Sequence, residues 1–129
     1  MHATRKGGKN MEYMDELKKK YPGIVPFKEE DDEWENKGFE ALNLNNTARA
    51  EEYFGKLCLS QPKHHSGFEG LAYTFYLSKD FEKASLFMTE AIAIAKKFLE
   101  DDSIDIEVIE EMEENYSNIL NRKPLRIRW

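Results

Sequence analysis

The stretch WENKGFEALNLNNTARAEEYFGKL at positions 34–57 is matched, at an offset of 34 residues, by the stretch FEGLAYTFYLSKDFEKASLFMTEA at positions 68–91. Aromatic, small and apolar residues recur at the same places in both copies. The matched pairs are Trp34 with Phe68, Gly38 with Ala72, Phe39 with Tyr73, Leu42 with Tyr76, Asn46 with Asp80, Ala50 with Ala84, Phe54 with Met88, and Leu57 with Ala91. A fixed period of this length indicates a helical repeat, an architecture that forms binding surfaces more often than active sites.

Each copy contains two amphipathic helices, according to the spacing of its apolar residues. The second helix of each copy has apolar residues at i, i+3, i+4 and i+7, which are Ala50, Tyr53, Phe54 and Leu57 in one copy and Ala84, Phe87, Met88 and Ala91 in the other. A second apolar set lies upstream in both copies, so each copy is predicted to be a helix, a turn and a helix. Small residues allow the paired helices to approach closely, while an aromatic residue fills the wider end of the wedge. The predicted repeat-packing residues are Trp34, Gly38, Ala50, Phe54, Phe68, Ala72, Ala84 and Met88.

These residues make the chain resemble the tetratricopeptide repeat family, whose pattern is W-x2-L-G-x2-Y, then A-x3-F and a closing proline. The first copy has Trp34, Lys37, Gly38, Ala41, Ala50, Phe54 and Pro62 at these positions, with Lys37 and Ala41 as departures. The second copy has Phe68, Leu71, Ala72, Phe75, Ala84 and Met88, without the proline, and its second helix is expected to extend to about Glu100. The resemblance implies two repeats at about 31–64 and 65–98. The implied fold is all-α, an α-α superhelix of antiparallel helix hairpins.

The segments around the repeats complete four predicted regions. Residues 1–10 are expected to be a disordered leader, and residues 11–30 an N-terminal helix and an apolar loop that folds back on the first repeat. Residues 31–121 form the tetratricopeptide-like domain, and residues 122–129 form a basic C-terminal tail. A last helix is expected after Ser103 as its N-cap, with an apolar stripe that is formed by Ile109, Met112, Tyr116 and Ile119. This helix is predicted to cap the array; the alternative is that its stripe is a dimer seam.

Composition argues against several classes of function. The formal net charge is −6, no apolar run approaches membrane-spanning length, and no secretory signal is visible. The single cysteine, Cys58, lies in an apolar run, which indicates a buried thiol in a cytoplasmic protein. His64 and His65 are adjacent, so their side chains point apart, unlike a metal-binding pair at i and i+4. We therefore expect a protein that is not an enzyme and needs no cofactor or metal.

The resemblance also implies a concave groove that is lined by the first helix of each repeat. The corresponding positions are Asp32, Glu35, Phe39, Leu42, Asn43, Ser66, Glu69, Tyr73, Tyr76 and Leu77. Because this lining is aromatic and acidic, it favours a protein or peptide partner that has positive charge and apolar anchors. The alternative is that Phe39, Tyr73 and Tyr76 are ordinary packing residues between the repeats.

Acidic chaperone tails are disfavoured as ligands of this groove. Family members that bind them use lysine and asparagine to grip the terminal carboxylate. At the matching positions this chain has Glu35, Phe39 and Gly70. A carboxylate that faces another carboxylate weakens binding, so the expected partner is of another kind.

The C-terminal tail has the chemistry that the groove is expected to bind. Its residues Leu125, Arg126, Ile127, Arg128 and Trp129 alternate between apolar and basic, which is the period of an extended segment. We predict that this candidate docking tail binds the acidic surface of its own domain or of a neighbour, which makes a homodimer possible. The alternative is a solvated tail, or one that packs on the last helix.

Two other functions remain as alternatives. One is a small self-associating assembly or scaffold subunit, which would use the repeat ends or the tail. The other, ranked low, is nucleic-acid binding, since seven of the 19 cations lie in the first ten and last eight residues. The acidic body between them would repel phosphate, and no recognition motif is present.

Overall fold

Every regular element in the described part of the computed structural model, residues 4–26, 32–100 and 104–127, is an α-helix. The helices are α1 (Thr4–Lys20), α2 (Asp32–Asn43), α3 (Thr47–Ser60), α4 (His65–Leu77), α5 (Phe81–Glu100) and α6 (Ile106–Leu120). The prediction of an all-α protein is confirmed for these ranges. The second helix of the second copy ends at Glu100, as its apolar spacing predicts.

The two copies turn in the same way. Asn45 after α2 and Lys79 after α4 are both left-handed, with φ of 58° and 68°. In each turn the next N–H closes back on the helix: Asn46 N donates to Ala41 O at 2.8 Å, and Asp80 N donates to Phe75 O at 2.8 Å. This is the hydrogen-bond pattern of a Schellman C-cap. The side chains of Asn46 and Asp80 then accept from Arg49 N and Lys83 N, so one residue ends one helix and begins the next.

Helices that follow one another along the chain pack side by side from α2 to α6. Because α2 also contacts α4, the first helices of the two copies lie on one side of the array, while α1 lies across α3 and α5. The core runs through all of these layers and includes Phe54, Leu71, Phe87 and Met112. The helix α4 is the central element, since α2, α3 and α5 all pack against it.

Most predicted repeat-packing residues are buried. Gly38, Ala50, Phe54, Phe68, Ala72, Ala84 and Met88 all lie in the interior. Trp34 differs, because it is only half-buried and does not fill the interior as expected. Its counterpart Phe68 is buried, and its ring lies 6.3 Å from the Phe87 ring of α5, measured between centroids.

The structure corrects two predictions near the ends of the chain. The helix α1 begins at Thr4, so residues 4–10 are helical where a disordered leader was expected. That prediction rested on missing apolar periodicity, which reports packing, whereas backbone hydrogen bonds can extend a helix wherever no proline interrupts it. The N-cap of α6 is Asp105, and its side chain makes no capping hydrogen bond. Ser103, the predicted cap, lies outside the described residues.

Candidate functional site

The positions predicted to line an open groove are largely buried. Phe39, Leu42, Ser66, Glu69 and Tyr73 lie in the interior. Glu35 and Tyr76 are half-buried, and Asn43 and Leu77 are exposed; the side chain of Asp32 lies outside the described part of the chain. The prediction of an open aromatic groove at these positions is therefore wrong. The helices α2 and α4 pack together, and α6 and the tail bond to α4 through its Tyr73 and Tyr76 side chains.

Phe39 and Tyr73 serve as packing residues, in line with the alternative considered for them. The ring of Phe39 lies 5.1 Å from the Phe54 ring and 6.5 Å from the Tyr73 ring, measured between centroids. The contact with Phe54 is edge-on and the one with Tyr73 is tilted, and aromatic contacts of both kinds stabilise an interior. The helix α2 thus joins the core through its aromatic residue and does not present it to a partner.

The described part of the tail, residues 123–127, lies on its own domain. Leu125 and Ile127 are half-buried against the core, and Arg126 between them is exposed. The Tyr76 hydroxyl on α4 donates to Lys123 O at 2.6 Å. Arg126 Nη1 lies 2.9 Å from a Glu114 carboxylate oxygen on α6. Arg128 and Trp129, which also belong to the predicted docking tail, lie outside the described residues.

A turn at Arg122 directs the tail back along α6. Arg122 has a φ of 56°, and Lys123 N donates to Asn118 O at 2.8 Å, which repeats the C-cap of α2 and α4. The Arg122 guanidinium lies 3.9 Å from the centre of the Phe81 ring at the start of α5. This cation–π contact stabilises the turn by linking it to the first residue of α5.

Asn115 on α6 pairs with the backbone of the tail. Its Oδ1 accepts from Arg126 N at 2.8 Å, and its Nδ2 donates to Arg126 O at 2.9 Å. One side-chain amide thus takes both polar backbone groups of one residue, as an adjacent β-strand does. We call the surface formed by Tyr76, Glu114 and Asn115 the tail site. Its central contact recognises an extended backbone, whatever the side chain.

A line of polar groups holds the Asn115 amide in its orientation. The Nδ2 atom also donates to the Tyr73 hydroxyl at 3.1 Å, and this hydroxyl donates to the Glu69 carboxylate. The Tyr73 hydroxyl has one proton and donates it to Glu69, so its oxygen accepts from the Asn115 amino group. Asn115 Oδ1 is thereby directed at the tail. Both Glu69 and Asn115 are almost fully buried, with 2% and 0% exposed.

The line continues to the start of α4. His65 Nδ1 lies 3.3 Å from Glu69 Oε1, and both side chains are buried. The Nδ1 atom makes no hydrogen bond within the described residues. Glu69 therefore lies between the His65 ring and the Tyr73 hydroxyl on three successive turns of one helix.

Sequence reasoning missed Asn115 and Glu114. The predicted apolar stripe of α6 consists of Ile109, Met112, Tyr116 and Ile119; Tyr116 is half-buried and the other three are buried. Asn115 lies three residues after Met112 and four before Ile119, so it shares their face. A polar residue inside a buried stripe needs a partner, and this signal could have identified it.

A separate pocket of about 560 Å³ lies on another part of the molecule, between α1, the 21–26 loop and the adjoining ends of α3 and α4. Its lining is mainly apolar and includes Met14, Ile24, Leu59 and Phe68. Cys58 forms part of the wall and is fully buried. Burial raises the pKa of the Cys58 thiol well above its ordinary value of 9.0, and the nearby Glu90 carboxylate adds to this. The thiol therefore keeps its proton and is a poor nucleophile near neutral pH.

Neither a metal cluster nor a membrane-spanning helix is present in the described ranges. No group of three or more histidine, cysteine, aspartate or glutamate side chains there is placed to hold a metal ion. None of the helices is both long and apolar enough to cross a bilayer.

Fold and site together describe a helical protein that holds an extended segment against α4 and α6. Comparison of the chain with protein-family models, with curated proteins and with solved structures found no match.

Proposed function

We propose that this chain is a non-enzymatic protein–protein interaction module that binds an extended peptide segment at the tail site. The paired hydrogen bonds between the Asn115 amide and the Arg126 backbone carry this proposal. Any extended segment has the same backbone N–H and C=O groups, so the Asn115 amide can form the same two hydrogen bonds with a segment of another protein. The partner would be a protein of the same compartment, which we propose to be the cytoplasm.

We further propose that the helices form a tetratricopeptide-like superhelix. The support is the repeated turn, since the left-handed residues Asn45 and Lys79 are separated by the same offset as the apolar pairs. The burial of Gly38, Ala72 and Ala84 at matching helix contacts adds to it. In this architecture α6 takes the place of the first helix of a third repeat and caps the array, since its apolar stripe is buried within its own chain.

The test is peptide binding to a full-length chain whose own tail cannot dock. Leu125→Glu with Ile127→Glu places two carboxylates where half-buried aliphatic groups lie; we call this double substitution the open variant. A fluorescent peptide with the sequence of residues 123–129, KPLRIRW, is titrated into it and followed by anisotropy. We expect saturable binding, with an affinity in the micromolar range that is typical of short peptides. Circular dichroism establishes that the open variant keeps its helices.

Asn115→Ala, added to the open variant, should lower the affinity at least tenfold, because it removes both backbone contacts at once. Asn121→Ala is the matched control: Asn121 is exposed, and among the described residues its side-chain amide donates to Ser117 of α6. It should leave the affinity unchanged. If the folded open variant fails to bind the peptide, the tail site is not a peptide-binding site and the proposal is wrong.

A further inference from the structure

The contacts of the described tail favour one kind of segment. Arg126 extends from the backbone position that Asn115 holds and reaches Glu114 at 2.9 Å. On either side of it, Leu125 and Ile127 pack against the core. Alternate residues of an extended segment point to opposite sides, so two apolar residues face the domain while the arginine faces outwards to the acid. A glutamate at the position of Arg126 would face the Glu114 carboxylate, and the repulsion would lower the affinity of the segment.

The docking of the tail is built from few contacts. Beyond Lys123, the tail backbone in the described residues is bonded to the Asn115 amide. The Arg126 to Glu114 ion pair is exposed to solvent, with 75% and 47% of the two side chains accessible, so it is screened and weak. Leu125 and Ile127 are half-buried and not fully enclosed. A segment of this kind is held mainly because it is attached to the domain, and a competing segment can replace it.

We infer, on the basis of the proposed function, that the site binds a partner segment with an arginine between two aliphatic residues, and that this segment displaces the chain's own tail. Without a partner, the chain's own tail occupies the tail site, and a partner segment must compete with it for binding. A covalently attached segment acts at an effective concentration of about a millimolar. If the unattached tail segment would bind with a dissociation constant of about 10 to 100 μM, the attached tail lowers the apparent affinity of a free peptide of equal intrinsic affinity by about 10- to 100-fold. Partners must therefore exceed the tail in affinity or length.

The first experiment compares the unmodified full-length chain with the open variant. Both are titrated with KPLRIRW, and we expect at least tenfold weaker binding to the unmodified chain. Equal affinity of the two proteins for the peptide would contradict the inference that a partner displaces the tail, but it would not contradict the proposal that the tail site binds peptides. Absence of binding to the open variant would instead refute the proposed function, so the two failures are distinguishable.

The second experiment tests the arginine. The peptide KPLEIRW, in which glutamate replaces the residue that corresponds to Arg126, should bind the open variant about fivefold more weakly than KPLRIRW, because the ion pair that it reverses is exposed. The peptide KPLKIRW is the matched control, since lysine keeps the charge and should bind within about twofold. Equal affinity of the glutamate peptide would overturn the preference for arginine.

A third measurement distinguishes a partner's segment from the tail of a second copy. Light scattering of the unmodified chain should give the mass of a monomer up to about 100 μM, with the Arg126 amide protected from hydrogen exchange. A dimer that is lost in the open variant would mean that copies exchange tails, and the inference of a separate partner would be wrong. An unprotected Arg126 amide in a monomer would mean that the tail does not occupy the site.

Discussion

At the residue scale, two glycines allow neighbouring helices to pack closely around the Phe54 ring. A Cβ atom added to Gly38 on α2 would lie 2.7 Å from this ring, and one added to Gly70 on α4 would lie 2.2 Å from it. Two helices thus approach α3 at glycines, and Phe54 is fully buried between them. Gly38 was expected from the repeat, whereas the sequence pattern marked Gly70 only as a position that lacks a clamp asparagine. Its role is to make room for the ring.

Gly70→Ala should therefore destabilise the protein. The added methyl group cannot fit unless Phe54 moves, and an enclosed ring has nowhere to go, so we expect the free energy of unfolding to fall by about 1–3 kcal/mol. The better helix propensity of alanine offsets part of this. Urea denaturation measures the change. Gly23→Ala is the control, since a Cβ atom added there would meet nothing within 4 Å and the φ of Gly23 is not positive, and it should have no cost. Equal stability of the two variants would show that Phe54 can relax.

Tyr73 is the second residue whose role depends on its surroundings. Tyr73→Phe removes a hydrogen-bond donor to the buried Glu69 carboxylate and an acceptor for Asn115. We expect a loss of about 1–3 kcal/mol in the free energy of unfolding, together with faster hydrogen exchange at the Arg126 amide. Tyr53→Phe is the matched control, because in the described ranges the Tyr53 hydroxyl accepts from Arg49 at the surface, and the substitution should change stability by less than about 0.5 kcal/mol. A loss of stability without faster exchange would mean that the Tyr73 hydroxyl stabilises the fold but does not orient Asn115.

At the scale of elements, α1 joins the two hairpins. The Tyr13 ring lies 5.6 Å from Phe75 and 5.3 Å from Phe87, and its hydroxyl donates to Glu51 on α3 at 2.8 Å. One turn later, Leu17 packs against Gly55 of α3. These contacts hold α1 against both hairpins. At the far end of the array, α6 packs against α5 and buries Ile109 and Met112 within its own chain, which favours a cap over a dimer seam.

Leu17→Ala should loosen α1 from the hairpins. Leu17 is buried, and truncation leaves a cavity beside Gly55, so we expect a loss of about 2 kcal/mol or more in the free energy of unfolding. The α1 amides should show the largest gain in hydrogen exchange, measured by mass spectrometry. Leu44→Ala is the control, because Leu44 is 75% exposed and its removal should cost less than about 0.5 kcal/mol. Unchanged exchange in α1 would mean that Leu17 does not hold the helix.

At the scale of the whole molecule, the buried Cys58 thiol and the half-buried Tyr13 hydroxyl make the free energy of unfolding depend on pH in the alkaline range. Burial raises the pKa of Cys58 above its ordinary value of 9.0. Burial, and after it the Glu51 carboxylate, raise the pKa of Tyr13 above its ordinary value of 10.0. Both groups lose their proton more readily in the unfolded chain than in the folded one. Their contribution to stability is therefore complete below pH 9 and is lost as the pH rises towards the folded-state values.

We expect the free energy of unfolding to fall above about pH 9, by at most about 1.4 kcal/mol per pH unit for each group. Urea denaturation between pH 7 and 11 measures this. Cys58→Ala should remove the part of the decline that begins near pH 9, and Tyr13→Phe the part that begins near pH 10. If the decline is the same in both variants, other groups cause it.

Much of the helical framework could be predicted, since each helix and turn depends on residues close in sequence. The end of α5 at Glu100 and the hairpin between α2 and α3 follow from apolar spacing and from the Asn46 turn. The start of α1 at Thr4 could not, because its first residues carry no packing pattern. The prediction of a tetratricopeptide-like superhelix stays a proposal. The α4 residues Glu69, Tyr73 and Tyr76 were predicted to line an open groove, but Glu69 and Tyr73 are buried and Tyr76 is half-buried.

The sequence by itself determined the helices, their order and the small residues that let them pack, because periodicity and turn chemistry act over a few residues. Only the tertiary structure decided that most of the positions predicted to line a groove are buried or half-buried, and that the tail lies beside Tyr73 and Tyr76. The contacts responsible join residues far apart in the chain: Tyr73 and Asn115 are separated by 42 positions, and Tyr76 and Lys123 by 47. No local spacing encodes such a pairing, since it depends on how α6 is oriented by the core beneath it. That orientation turns Asn115, an ordinary polar residue in the sequence, into the group that holds an extended backbone.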